Sequence, residues 1–306
     1  MHKITIVGAG RVGESTAQVL AKEELCREVM LIDVREGVAE GTALDIHECA
    51  PRFGFDTRVH GTTDPAGMSG SDLVIITAGL PRKPGMSRSD VLGANLPIID
   101  AIVDDILRHA PDAMLLMVTN PVDVLTYRAW KRSGWDRRRV FGQAGVLDAS
   151  RMASFVAQAT GFSVRDISAL VLGGHGDAMV PMVRYTTISG LPIEHFLDSK
   201  IIAGIVDRTR QGGAEILALK KNSSAYDAPA AAITTMVDAV SRDRRRILPC
   251  VAILEGEYGQ RDIAMGVPAL LGASGLEKVI ELSLNAQEAE LFRRSAQHIR
   301  TDLAKC

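Results

Sequence analysis

The residues best suited to proton chemistry stand in Gly173-Gly174-His175-Gly176-Asp177. One histidine sits among small residues, just after the apolar run Ile167 to Leu172. Read as chemistry, this is an imidazole at a strand end, on backbone that lets a ligand approach closely. The unperturbed imidazole pKa lies near neutrality, which suits a proton taken and returned at each turnover. A turn or surface histidine would look the same, so the rest of the chain must decide. Asp148 and Arg151 lie three residues apart, near the start of a helical pattern running from about Ala149 to Thr160, and can share one face. One reading is an Asp N-cap followed by a solvated arginine. The other has Asp148 hold the histidine in one tautomer and raise its pKa, while Arg151 binds a substrate carboxylate. The segment Ala78-Gly79-Leu80-Pro81-Arg82-Lys83-Pro84-Gly85-Met86-Ser87-Arg88 reads as a loop carrying guanidinium groups. Such groups match a carboxylate with paired hydrogen bonds.

Elements must bring these groups together, and the first half of the chain supplies the platform. Ile4-Thr5-Ile6-Val7 reads as a buried strand and leads straight into Gly8-Ala9-Gly10-Arg11-Val12-Gly13. A helix is expected over Glu14 to Glu24, then a strand Val29 to Ile32 ending at Asp33. Gly8 permits the tight turn, Gly10 lets backbone approach a pyrophosphate, and Gly13 lets helix and strand pack closely. The helix N-terminus offers N–H donors to phosphate. Asp33, twenty residues beyond Gly13, can accept from both ribose hydroxyls and disfavours a 2′-phosphate. That points to NAD; Arg35 nearby keeps NADP open.

The alternation continues through a weak strand at Arg58 to His60, strong ones at Asp72 to Ala78 and Ala113 to Val118, and a short one at Val140-Phe141. Helical patterns at about Ser89 to His109 and Asp123 to Arg132 lie between them. The expectation is a doubly wound parallel Rossmann sheet over residues 1–145, followed by a mixed α/β substrate-binding domain over 146–306. Ligands of such sheets bind beyond the carboxyl ends of the strands, where the Ala78 to Arg88 loop and Thr119-Asn120-Pro121 leave. Asn120 offers a donor and an acceptor there, or else an N-cap with Pro121 at the first helical position. Later helices are expected over Asp198 to Asn222, in an Ala-rich stretch to about Arg242 that could form subunit contacts, and over Ala286 to Ala304.

Composition narrows the class. The chain has 306 residues, 46% hydrophobic and 24% charged, which suits a globular protein with a sizeable core. A net charge of -2 and an aromatic share of 4% argue against a nucleic-acid surface. Cys26, Cys49, Cys250 and Cys306 form no CxxC pair, so neither a structural metal site nor a disulfide framework is expected. No apolar stretch is long enough to span a membrane, and the first apolar run follows directly on Met1-His2-Lys3. A cytoplasmic location is the default expectation.

The glycine turn, the arginine loop, Thr119-Asn120-Pro121, Leu147-Asp148 with Arg151, and Gly174-His175-Gly176-Asp177 stand in an order that resembles the lactate/malate dehydrogenase family. The likeness runs from Lys3 to near Ala304, and within the family is greatest to malate dehydrogenases built like lactate dehydrogenase. It implies NAD as coenzyme and the reversible oxidation of (S)-malate to oxaloacetate, in a homodimer or homotetramer. It implies His175 as acid/base, Asp148 as its orienting partner, Arg151 on the C1 carboxylate, and Arg88 on the substrate carbonyl. Asn120 would meet substrate and nicotinamide ribose, and Asn95 would join the coenzyme contacts. Arg82 would separate malate from lactate, because its guanidinium pairs with a second carboxylate that pyruvate lacks. Alternatives are a lactate or other 2-hydroxy-acid dehydrogenase, and a catalytically silent NAD-binding protein. Small departures from the family pattern are Ala149-Ser150 in reversed order and Ala178 in place of threonine.

Overall fold

In a computed structural model, residues 1–80 and 89–306 are described in full, and Arg88 for its backbone alone. Of the expected site residues, Arg82 and the Arg88 side chain therefore lie outside the described residues.

The first half alternates as expected. Strand β1 (Lys3–Val7) is followed by α1 (Arg11–Lys22), β2 (Glu28–Ile32), α2 (Val38–Glu48), a one-turn α3 (Ala50–Phe53), and β3 (Arg58–Thr62). Then come β4 (Leu73–Ile76), α4 (Arg88–His109), β5 (Met114–Met117), α5 (Val122–Ser133) and β6 (Val140–Gly142). These strands are parallel, in the order β3-β2-β1-β4-β5-β6. The order reverses between β1 and β4, where open α/β sheets place their ligands. Both faces are covered. Ile4, Ile6, Leu31, Leu73 and Ile75 pack into one core layer; Val7, Ile32, Val74, Ile76, Leu115 and Met117 pack into the other. Successive strand residues thus enter opposite layers, as a pleat buried on both sides requires. Helix α1 buries Gly13, Thr16, Ala17, Leu20 and Ala21. That spacing is one face of a 3.6-residue helix.

The second half opens with α6 (Gly145–Thr160), then β7 (Ile167–Ser168), β8 (Val171–Gly173), β9 (Met179–Pro181), β10 (Thr187–Ile188) and β11 (Leu191–Pro192). Next are α7 (Ser199–Lys220), α8 (Asp227–Ser241), β12 (Arg246–Glu255), β13 (Arg261–Gly272), β14 (Gly275–Val279) and α9 (Ala286–Leu303). The second half does not build a separate sheet of its own around the site. Strand β12 joins β6 antiparallel, with Val251 opposite Gly142, and the order runs on through β13, β8 and β9. One sheet thus crosses the division expected at 145/146, and so do both core layers. Ile4, Ile6 and Phe141 share a cluster with Leu254, Met265 and Val267. Only β7, β10 and β11 form a second, small sheet.

Three local readings change. Helix α6 begins at Gly145 rather than Ala149, so Asp148 lies inside its first turn with Ala144 at the N-cap. Pro121, not Asn120, is the N-cap of α5. The Ala-rich helix α8 buries Ala230, Ala232, Ile233, Met236 and Val237 within its own chain, so that face is core. Cys26 and Cys250 are buried, and burial pushes each thiol up to about 12. Among the described residues, no helix is long and apolar enough to cross a membrane, and no group of three or more His, Cys, Asp or Glu is placed to hold a metal.

Candidate active site

Two loci lie at the carboxyl ends of the parallel strands. The first is built by the β1–α1 turn and the end of β2. Gly8 has φ of 109°, and a Cβ on it would lie 2.6 Å from the Ala78 nitrogen. Only glycine fits there. A Cβ on Gly13 would run into the Gly8 carbonyl, so α1 can pack against the turn only without one. Gly10 differs: a Cβ on it would meet nothing within 4 Å among the described residues, and it caps α1 without any side-chain hydrogen bond. The turn thus leaves open space in front of helix N–H groups, a setting that suits a pyrophosphate.

Asp33 is 8% exposed beside this turn. Its Oδ2 accepts the Ala9 N–H at 2.9 Å, and its Oδ1 accepts the Arg35 N–H at 3.0 Å. The Arg35 guanidinium closes the set, donating from Nε to Oδ1 at 2.9 Å and from Nη2 to Oδ2 at 3.0 Å. Burial would raise the Asp33 carboxyl, but the bonds from Arg35 and Ala9 outweigh it and hold the group below the usual range. A carboxylate charged at neutral pH, beside a glycine turn with room before it, fits the adenosine ribose and pyrophosphate of NAD. Arg35 is paired with Asp33 through both Nε and Nη2.

The exits of β4 and β5 are tied to each other. Thr119 Oγ1 donates to the Ala78 carbonyl at 2.6 Å. Asn95, expected among coenzyme contacts, is 1% exposed and spends its amide on the protein. Its Oδ1 accepts the Leu80 N–H at 2.7 Å, and its Nδ2 donates to the carbonyls of Leu80 at 3.3 Å and Asn120 at 2.9 Å. Asn95 thereby fixes where the arginine-bearing segment leaves the sheet and where Asn120 stands. The Asn120 side chain is exposed at this edge, ahead of a cis peptide bond to Pro121.

The second locus joins residues from the β8–β9 turn and from four helices. His175 lies in the turn between β8 and β9, with Gly173 (φ 84°) and Gly176 (φ 95°) on either side. Its Nδ1 is 2.9 Å from Asp148 Oδ2, on α6. The other Asp148 oxygen accepts from Arg151 Nη1 at 3.0 Å. One carboxylate, with its side chain 2% exposed, therefore bridges imidazole and guanidinium. The solvated-arginine reading fails, since the Arg151 side chain is only 11% exposed. Burial alone would lower the His175 pKa. The charge and hydrogen bond of Asp148 outweigh it, Asp123 adds to them and Arg151 subtracts, and the ring sits above the ordinary histidine value. With Nδ1 turned to Asp148, Nε2 is the nitrogen left to exchange a proton with a ligand.

Three residues of this locus escape a reading of sequence alone. Asp123 Oδ2 accepts the His175 main-chain N–H at 2.9 Å. Ser295 of α9 accepts the Gly174 N–H at 2.8 Å. Gly212 of α7 lies against Arg151, where a Cβ would be 3.0 Å from Arg151 Cδ. Their separations in sequence from the partners they serve hide them; Asp123 looks like any acidic residue in the first turn of a helix.

Known proteins match the chain along nearly its whole length. Residues 2–142 match the profile of the lactate/malate dehydrogenase NAD binding domain, and residues 145–306 match that of the family's alpha/beta C-terminal domain. A malate dehydrogenase of Thioalkalivibrio sulfidiphilus is 68% identical over 303 residues, covering 99% of each chain. The solved malate dehydrogenase of Salinibacter ruber superposes with a TM-score of 0.95 at 44% identity, over 99% of this chain and 97% of that one. A lactate dehydrogenase of Cryptosporidium parvum, complexed with lactic acid and the dinucleotide, gives the same TM-score at 38% identity, with the same coverage. A nucleotide turn and a buried histidine–carboxylate–arginine bridge on one sheet, matched along the whole length, place the chain in the lactate/malate dehydrogenase family.

Proposed function

We propose that the chain is a malate dehydrogenase, interconverting (S)-malate and oxaloacetate with NAD. The observation that carries this reading is the single Asp148 carboxylate spanning His175 and Arg151. An acid/base and an anion clamp held by one rigid group suit a substrate whose hydroxyl and carboxylate are neighbours. When bound, NAD accepts the hydride of the malate C2–H bond or returns it. His175 Nε2 takes the hydroxyl proton during oxidation, and Asp148 stabilises the imidazolium that results. In the reverse direction the imidazolium gives that proton back to the developing alkoxide. Arg151 holds the C1 carboxylate, and Asn120 lies within the ligand edge of the sheet. Arg82 pairs with the second carboxylate and Arg88 polarises the carbonyl, by family resemblance. Gly8, Gly10, Gly13 and Asp33 hold the coenzyme, with Asn95 supporting from behind. The functional division falls between 145 and 146, at the first turn of α6.

A lactate dehydrogenase is the second reading, favoured by the equal superposition on the Cryptosporidium parvum enzyme. The deciding experiment is steady-state reduction of oxaloacetate and of pyruvate, each with NADH and with NADPH. Oxaloacetate with NADH should have the highest kcat/KM. Faster turnover of pyruvate would overturn the assignment, and so would a preference for NADPH. Arg82→Gln should narrow the gap between the two keto acids, since pyruvate has no second carboxylate to pair with a guanidinium. We also infer a cytoplasmic location and a homodimer or homotetramer; exposed apolar side chains such as Leu44 and Leu219 support the assembly alone. Sedimentation of the purified chain tests the assembly.

A further inference from the structure

Asp123 is 6% exposed at the start of α5, yet it carries a carboxylate with only half of its bonding capacity used. Oδ2 accepts the His175 N–H at 2.9 Å, while Oδ1 is buried and has no hydrogen-bond partner among the described residues. A buried, half-satisfied carboxylate is costly, and an asparagine or threonine could accept one N–H more cheaply. We infer that Asp123 is a positioning residue for the dehydrogenase reaction: it fixes the main chain that carries the imidazole and sets a second negative charge behind it, beyond that of Asp148. This rests on the dehydrogenase reading above.

The surroundings leave few other groups to do so. Among the described residues, the His175 ring meets Asp148 from α6, with Arg151 behind that carboxylate. Asp123 comes from α5, and Asp177 lies two residues on in the same turn. Helix α9 meets the turn through Ser295 and Ile299, and β13 meets it through Gly266, none of them titratable. Burial pushes the Asp123 carboxyl up to about 6; the His175 N–H and charge pull it down, and Asp148 pushes it further up. Its proton is therefore lost in the range where the enzyme's acid/base must work.

The test is the pH profile of kcat/KM for oxaloacetate reduction and malate oxidation in the full chain, with Asp123→Asn and Asp123→Ala. Reduction needs the imidazolium and falls as pH rises through its pKa. Oxidation needs the neutral ring and falls as pH drops through it. Asparagine keeps an acceptor for the His175 N–H and removes the charge. Both limbs should then move to lower pH by roughly half to one unit, the low end of what a charge a few ångström away does. Alanine also removes the bond, and should lower the plateau by roughly a further tenfold. Limbs that stay in place in Asp123→Asn would overturn the inference, whatever happens to the plateau. Should both variants fail to fold, judged by loss of NADH binding, the unmodified chain still decides. The His175 ring proton signal, identified by its loss in His175→Asn, should titrate over a wider range than one proton allows, because a second carboxyl titrates beside it. A single-proton curve would overturn the inference. No turnover of either keto acid by the unmodified chain would instead overturn the dehydrogenase reading, and the ring titration would still judge the role of Asp123.

Discussion

Among the described residues, two carboxylate–arginine pairs at the ligand edge are built on opposite terms. Asp33 and Arg35 are two residues apart, and the Arg35 side chain is 61% exposed. Asp148 and Arg151 are enclosed, and the carboxylate also holds a histidine 27 residues further along the chain. A local pair whose arginine is mostly exposed contributes little, and its carboxylate can turn to a ligand's hydroxyls. An enclosed pair cannot be opened cheaply, because either partner alone would be a buried, uncompensated charge. The first is therefore suited to a coenzyme that comes and goes, and the second to geometry that must not change between turnovers.

This contrast can be broken. The largest effect is expected at the enclosed locus. His175→Asn should lower kcat by roughly 10²- to 10⁴-fold, the span of general acid–base catalysis, while NADH binding measured by fluorescence is retained. Equal loss of both would mean that the two loci are not separable. Asp148→Asn comes next, with kcat/KM down by roughly 10²-fold or more, since imidazole orientation and guanidinium anchoring fail together. Gly212→Ala should act more gently. A Cβ 3.0 Å from Arg151 Cδ must displace the clamp by tenths of an ångström. KM for oxaloacetate should rise by roughly three- to tenfold with kcat nearly unchanged, although alanine is the better helix former by about 1 kcal/mol. Unchanged KM would show that Arg151 has slack. The smallest effect belongs to Arg35→Ala, where NADH affinity should change by less than about threefold, in keeping with a pair whose arginine is mostly exposed.

Stability offers a sharper form of the comparison. The Asp123 carboxyl is raised from 3.8 to about 6 by burial. An unfolded chain loses this proton first, so folding stability falls as pH climbs from about 4 to 6 and stays lowered above that. Asp123→Asn should therefore gain up to about 3 kcal/mol at pH 8 and nothing at pH 4. Thermal unfolding at the two pH values measures this. A gain in stability together with lost activity would mark Asp123 as retained for the reaction; Asp33, held below the usual carboxylate range, should show the opposite sign on replacement.

What could be read from sequence follows from how local each feature is. The β1–glycine–α1–β2–Asp33 unit was legible because turn, helix face and acid all fall within some thirty consecutive residues, each with its own pattern. His175, Asp148 and Arg151 were legible as chemistry, with Asp148 as the histidine's partner; that one carboxylate bridges imidazole and guanidinium was not. The true start of α6 was hidden because it begins on Gly145, where glycine ordinarily suggests a turn. That glycine is needed because a Cβ there would lie 2.7 Å from Pro249 Cβ and 2.9 Å from the Val171 carbonyl. Asp123 and Ser295 serve the histidine turn from 52 and 121 residues away. Asn95 was expected to face the coenzyme, but its partners Leu80 and Asn120 exist only once β4 and β5 lie side by side. No pattern within a single window encodes such partners.

The pairing of β12 with β6 bears on how such chains can be recombined. A nucleotide module cut out after residue 142 would leave an open strand edge at β6 and strip Phe141 of Leu254, Met265 and their neighbours. An exposed edge of that kind invites association with other chains. Swapping the front half of one such enzyme for another's is thus a change to the middle of a sheet, and hybrids should be joined elsewhere than at the seam between the two family profiles.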